Sequence, residues 1–368
     1  MPTATSVTVP YAYLTEQFHP DTPLGHDILR DIAEEMRRGW YTLGPWVEKF
    51  ERAVCDKWGV KHCVGVGNGT DALILALKAS GVGPGDTVLT IPNTFVATVG
   101  AIIAAGATLK FVDVDQTYQM DVSQGVHRRV KCAMPVHLTG LAREHGEWPL
   151  TIHDAAQAVG AEWNGKPVAQ FADIACFSLH PLKNLNVMGD GGFITTNNDD
   201  TAATLRLLRN HGLINRDTVA IPGVNSRLDS IQAIAAWHGL KEIDWINERR
   251  RVNAARYDLG LKGVAGVVIP PRPHAASQVY HTYVIQTERR EALQAWLTAR
   301  NVETKIHYPL PCHLQPGFKF LGYRKGDFPV CEAQAERILS LPIHQYLSEG
   351  QIDHAIESIR EFYRQQPA

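Results

Sequence analysis

Between Lys61 and about Arg209, short apolar strands alternate with helical patterns. No other feature constrains the fold as much. A strand–helix–strand repeat sets successive strands side by side and parallel, with the connecting helices packed against the sheet. The expected fold class is therefore α/β: a mostly parallel central sheet with helices on both faces. Sheets of this kind present their ligand-binding groups at the carboxyl ends of the strands. Three strand ends in this chain carry side chains suited to chemistry.

The first is Ile174 to Leu179, which breaks at Pro181, passes Lys183 and a glycine cluster, and enters a second strand from Gly192 to Thr196. A lysine between two buried strands is costly to hold without a partner or a task. Partial desolvation also lowers the pKa of an amine and exposes its lone pair, as a Schiff-base nucleophile requires. On this segment alone, a surface lysine in a loop explains the pattern equally well. The second strand end, Pro149 to Asp154, is followed by Ala155, Ala156 and Gln157. Pyridoxal phosphate needs a lysine and also an acid that keeps its pyridine nitrogen charged, so that the ring acts as an electron sink. Asp154 could be that acid and Gln157 a donor to the ring hydroxyl, although alone Asp154 reads as a helix cap. The third, Cys63 to Gly67, turns through Asn68, Gly69 and Thr70 into an apolar helix. Free N–H groups and the positive dipole end at such a helix start bind anions. The turn matches neither G-x-G-x-x-G nor a P-loop.

With these segments in order, the chain resembles the DegT/DnrJ/EryC1/StrS family of pyridoxal-phosphate-dependent sugar aminotransferases, of fold type I. The resemblance runs nearly end to end. It takes in Gly44-Pro45, Asn68-Gly69-Thr70, Thr94-Phe95, Asp154 to Gln157, Phe177-Ser178, His180-Pro181, Lys183-Asn184-Leu185, Asn225 to Asp229 and Ile306 to Pro309. It implies that Lys183 forms the Schiff base and moves the proton, and that Asp154 pairs with the pyridine nitrogen. Gln157 would contact the ring hydroxyl and Phe95 would cover the ring. Asn68, Gly69, Thr70 and Ser178 would hold the phosphate. Tyr41, His180, His307 and Tyr308 would face substrate. Asn225 would reach the neighbouring subunit's cofactor, which implies a homodimer with shared active sites. The implied donor is L-glutamate and the implied acceptor a keto sugar. The Lys183-Asn184-Leu185, Gly189 to Gly192, Asn225 to Asp229 and Ile306 to Pro309 versions resemble members that aminate at C3. A nucleotide-linked 3-keto deoxyhexose is thus the expected acceptor. A free, phosphorylated or higher-carbon keto sugar is the alternative.

At 368 residues and 45% hydrophobic, the chain is long enough for a large core and two domains. We expect an arm over 1–24, a large cofactor-binding domain over 25–240 and a small α+β domain over 241–368, with strands over Val279 to Gln286 and Glu303 to His307 in the last. A net charge of −2 leaves no nucleic-acid footprint. The longest basic run, Arg249 to Arg251, reads as a solvated helix face. Six cysteines without a C-x-x-C pair read as reduced thiols of a cytoplasmic protein. No stretch is apolar enough to cross a bilayer, and the first residues lack a secretory pattern.

One interval departs from the family. Between His137 and Asp154 there is no room for a full crossover helix, and Asp121 to Met134 also looks short. His137, His145, His153 and Asp154 invite a metal reading, but they lack a compact ligand spacing, and no metal is expected. A non-catalytic regulator on the same fold is a further rival. Retention of lysine, acid and phosphate residues together argues against both.

Overall fold

In the computed structural model, residues 7–124 and 130–365 are described. Residues 1–6 of the expected arm, and the middle of the Asp121 to Met134 interval, lie outside the described residues. The central sheet holds β1 (His62–Val66), β2 (Thr87–Thr90), β3 (Thr108–Phe111), β4 (Cys132–Ala133), β5 (Ile152–Asp154), β6 (Ile174–Ser178) and β7 (Gly192–Thr196). A three-stranded portion ordered β3-β2-β4 meets a four-stranded portion ordered β5-β6-β7-β1. Parallel bridges from Ala133 to Thr151 and from Val136 to Asp154 join the two. Only β7 runs against its neighbours, pairing antiparallel with β6 and β1. The sheet is therefore mostly parallel, as the alternation predicts.

Helices α1 (Pro23–Arg38), α2 (Pro45–Trp58), α3 (Gly69–Ala79), α4 (Val96–Ala104), α5 (Asp199–Leu208) and α6 (Ser230–Leu261) cover this sheet. Their ends follow from local sequence. In α1, Thr22 accepts the Gly25 N–H, Pro23 opens the helix and left-handed Gly39 closes it. Strand side chains alternate between faces. Val64, Val66, Ile174, Cys176 and Ile194 enter one core with α3 and α4. Cys63, Ala175, Phe177 and Phe193 enter the other with α1, α2 and α6. Beneath the lysine connection, the rings of Phe177 and Phe193 stack at 4.5 Å, with Trp58 stacked on both.

Two glycines let the turn after β1 close on the sheet. A Cβ on Gly69 would lie 2.8 Å from Ser178 Cβ, and one on Gly192 would lie 2.7 Å from the Asn68 carbonyl. Neither contact is tolerable, so the turn after β1, the end of β6 and the start of β7 meet only because both positions lack a side chain.

The C-terminal part pairs β8 (Tyr283–Gln286) antiparallel with β9 (Ile338–Leu341), flanked by α7 (Arg290–Thr298) and α8 (Glu349–Gln365). Its core, from Tyr257 and Leu261 through Ile285 and Leu339 to Phe362, also takes in Val9 from the N-terminal segment. The 32-residue α6 belongs to both parts, and residues 240 and 241 lie within it. The strand expected from Val279 begins at Tyr283 instead, because Tyr280 takes φ 45° and the Val279 N–H turns aside to Gly140. The strand expected over Glu303 to His307 is reduced to a bridge between Lys305 and Ser340. The basic run is also not simply a solvated face. Arg250 is buried at 2% exposure, and its guanidinium donates to Gln345 and to the Tyr280 and His281 carbonyls. Between β4 and β5 the chain runs without a helix, as the short interval implies.

Candidate active site

The carboxyl ends of β1, β2, β4, β5 and β6 open onto one cavity of about 600 Å³, within the range of small-molecule sites. Asn68, Gly69, Thr70, Phe95, Asp154, Gln157, Ser178, His180, Lys183, His307 and Tyr308 all line it. Of the residues expected at the site, Tyr41 and Asn225 do not. Both are exposed on their own chain. Tyr41 hydrogen-bonds the Met36 carbonyl, and Asn225 bridges to Asn210 at the base of the hairpin Leu213–Val219.

At one end of the cavity, Asn68 caps α3 by accepting the Asp71 N–H at 2.8 Å. The first-turn N–H groups of Gly69 and Thr70 begin this helix beside Ser178. Such a cradle suits a phosphate. Ser226 braces it, donating to Asp71 at 2.7 Å and accepting the Gly67 N–H at 3.0 Å.

At the other end, Asp154 is buried, and its Oδ2 accepts the Thr98 hydroxyl at 2.7 Å. The Thr98 oxygen lies 2.6 Å from that of Thr94. Because Thr98 gives its proton to the carboxylate, Thr94 is the donor of that pair. The result is a directed chain of two hydroxyls ending on the acid. Burial raises the Asp154 pKa, while the Thr98 bond, the Ala156 N–H and the charge of Lys183 oppose the rise. The Lys183 amine, partly accessible through the cavity, is pushed down to about 8 by burial, against the pull of Asp154. Near-neutral imidazoles surround it. Burial, reinforced by the charge of Lys183, lowers His180 and His281 and brings His307 to about 4. Phe95 is 52% exposed, its ring 5.8 Å from that of Tyr308, so it is a cavity wall and not core. The Gln157 Oε1 atom is buried with no protein partner.

Sequence reading alone missed Thr98 and His281 as site residues. The spacing of Thr94 and Thr98 by four on a helix start was the available signal, since it puts both hydroxyls on one face. His281 precedes the shortened β8 and gave none. His137 also lines the cavity, with Nε2 2.9 Å from His153 Nδ1. Burial brings His137 to about 3 and depresses His145 and His153. Among the described residues, no cluster of three or more histidine, cysteine, aspartate or glutamate side chains has the arrangement to hold a metal.

The fold sets a desolvated lysine and a buried acid in one cavity beside a helix-start anion site, and comparison with known proteins gives the family. The chain belongs to the DegT/DnrJ/EryC1/StrS aminotransferase family, whose profile matches residues 23–360. It is 40% identical to a Geobacillus stearothermophilus protein named "Pleiotropic regulatory protein", covering 97% of this chain and 99% of that one. It is 36% identical to the dTDP-3-amino-3,4,6-trideoxy-alpha-D-glucose transaminase of Streptomyces venezuelae, covering 90% of each. Among solved structures, S. venezuelae DesV in complex with a ketimine intermediate superposes with TM-score 0.92 at 35% identity, covering 96% of this chain and 98% of that one. The chain is an aminotransferase of fold type I. Among the described residues, no helix is long and apolar enough to cross a membrane.

Proposed function

We propose that the chain binds pyridoxal 5'-phosphate and moves an amino group from L-glutamate to C3 of a nucleotide-linked 3-keto deoxyhexose. The observation that carries this reading is the placement of Lys183 and Asp154 in one cavity with a helix-start phosphate cradle. The residues present fit the cofactor. An orphaned Gln157 oxygen, a buried acid and an aromatic wall lie where a small polar ring would need them. Asn68, Gly69, Thr70 and Ser178 would hold the phosphate, Asp154 the ring nitrogen, Gln157 the ring hydroxyl and Phe95 the ring face. When bound, pyridoxal phosphate supplies an electron sink for the carbon that gains or loses the amine.

The chain's own residues do the rest. Asp154, whose Oδ2 accepts the Thr98 hydroxyl against the burial that raises its pKa, would hold the ring nitrogen in its protonated form. The Lys183 Nζ atom, with a pKa of about 8, is neutral in a usable fraction at physiological pH. It therefore serves both as nucleophile and as the base that takes and returns one proton. The neutral imidazoles of His180, His281 and His307 leave that proton with Lys183. The regulatory name of one relative does not displace this reading, because a purely regulatory chain has no use for a desolvated lysine aimed into a cavity.

Sharing of sites within a C2 homodimer belongs to the same proposal. Asn225 and Tyr41 are exposed and outside their own cavity, the position expected of residues lent to a partner. The acceptor is tested by incubating purified protein, cofactor and L-glutamate with a panel of keto sugars on dTDP, UDP and GDP, free and phosphorylated. Amination of a 3-keto nucleotide sugar well above the others supports the reading. Preference for a free or phosphorylated sugar would replace it with the alternative acceptor class, toward which the helix-free passage after His137 points.

A further inference from the structure

We propose that Tyr13 is a positioning residue for Lys183, and that the N-terminal segment over residues 7–17 is a strap holding the lysine's main chain in register with the cavity. The inference rests on the proposed function in taking Lys183 as the reactive amine. The Tyr13 hydroxyl donates to the Lys183 carbonyl at 2.8 Å, a contact between residues 170 apart in sequence. Tyr13 is 3% exposed. Its ring is gripped by His344 at 5.3 Å, Tyr346 at 6.0 Å and the Arg250 guanidinium at 5.4 Å. Burial raises the pKa of the phenol, so the hydroxyl remains a donor.

The strap is itself fixed to the C-terminal part. Val9 bridges Val302, and the Thr8 carbonyl accepts from Gln351. The Tyr11 N–H donates to Glu303, and Gln17 Oε1 accepts from Gln345 and Tyr346. On the far side of the lysine, Asn184 donates to Asn247 in α6 and to the Val279 carbonyl. The lysine thus sits between two anchors in an otherwise irregular connection. A fixed main chain sets the arc that Nζ can sweep, and an error of an ångström there is costly.

The test compares Tyr13→Phe, which removes one donor, with Phe362→Leu, which weakens the C-terminal core where its ring packs on Trp296 and Tyr363. Two quantities are read beside thermal unfolding. One is the single-turnover half-reaction with L-glutamate. The other is the pH dependence of borohydride-trapped labelling of Lys183 by pyridoxal phosphate. Tyr13→Phe should slow the half-reaction about tenfold at nearly unchanged half-saturation, the size of one lost hydrogen bond realised in the rate. Its labelling midpoint should move to higher pH, because an amine that gains water regains basicity. Asp154, His180, Asp190, His281 and His307, the titratable groups around the amine, are the same in both proteins.

Phe362→Leu should lower the melting temperature and leave both readouts unchanged. Replacing Tyr13 with 4-aminophenylalanine, which keeps a donor in place, should restore the rate to within about twofold of wild type. Should Tyr13→Phe not fold, 4-methylphenylalanine gives the same shape without the donor. A Tyr13→Phe enzyme with wild-type rate and midpoint would overturn the proposal. So would parallel losses in both variants that merely track stability. If wild-type Lys183 takes no label at all, the functional reading fails instead.

Discussion

Asp154 and Lys183 each favour the other's charged form against the burial that disfavours it, and substitutions at one are read out at the other. Asp154→Asn should keep the cofactor bound, since the phosphate cradle is untouched, yet lower turnover about 100-fold or more, because an amide cannot stabilise a pyridinium. Near wild-type turnover would reduce Asp154 to a cap. In cofactor-free protein, labelling of Lys183 by an amine reagent should rise as pH climbs through about 8, the pKa that burial imposes. Asp154 raises that pKa, so its neutralisation should move the rise to lower pH. A rise near the ordinary lysine value in wild type would contradict the desolvated amine. At this scale the sequence singled out residues that the structure gathers around one cavity. It was a poor guide to Arg250: of three consecutive arginines on a helix, only packing against Tyr13, Gln345 and the 280–281 carbonyls decides which one is buried. Thr98 was hidden for a similar reason, since a helical threonine acquires its role only when the carboxylate arrives from the end of β5.

Strands and helices converge where side chains are absent. Gly192→Ala would press a methyl against the Asn68 and Phe177 carbonyls, which are backbone and cannot step aside. A loss of about 1–3 kcal/mol is expected from such overpacking, measured by denaturant unfolding. Cofactor affinity should fall with it, because Asn68 opens the turn proposed to hold the phosphate. Unchanged stability would mean that β7 can shift away from the turn. The alternation of elements was legible because both faces of the sheet are buried and each strand's residues split cleanly between two cores. The helix-free passage between β4 and β5 was legible too, from length alone. The C-terminal strands were legible only in part, since β8 lies within the expected Val279 to Gln286 run while β9 was not expected. Their pairing partner β9 follows a helix within one short run, and Tyr280 breaks the other strand with a positive φ that its residue type does not announce.

For the whole molecule, the proposal of shared sites makes a prediction about mixed dimers. In an isologous pair of a Lys183→Ala chain with an Asn225→Ala chain, one site would carry both lesions and the other neither. If Asn225→Ala alone impairs activity, such heterodimers should regain about half the wild-type activity per dimer. Absence of rescue with heterodimer formation confirmed would place Asn225 in its own chain's service. The exposed hairpin Leu213–Val219 is tied to Asn225 through Asn210 and would travel with it.

The most direct measurement is reduction of the pyridoxal-phosphate-loaded protein with borohydride, followed by peptide mapping. The pyridoxyl group should be found on Lys183. It should be absent from Lys183→Ala, which should fold normally and release no 2-oxoglutarate from L-glutamate in steady-state turnover. A label on another lysine, or substantial turnover by Lys183→Ala, would contradict the assignment of Lys183 as the reactive amine.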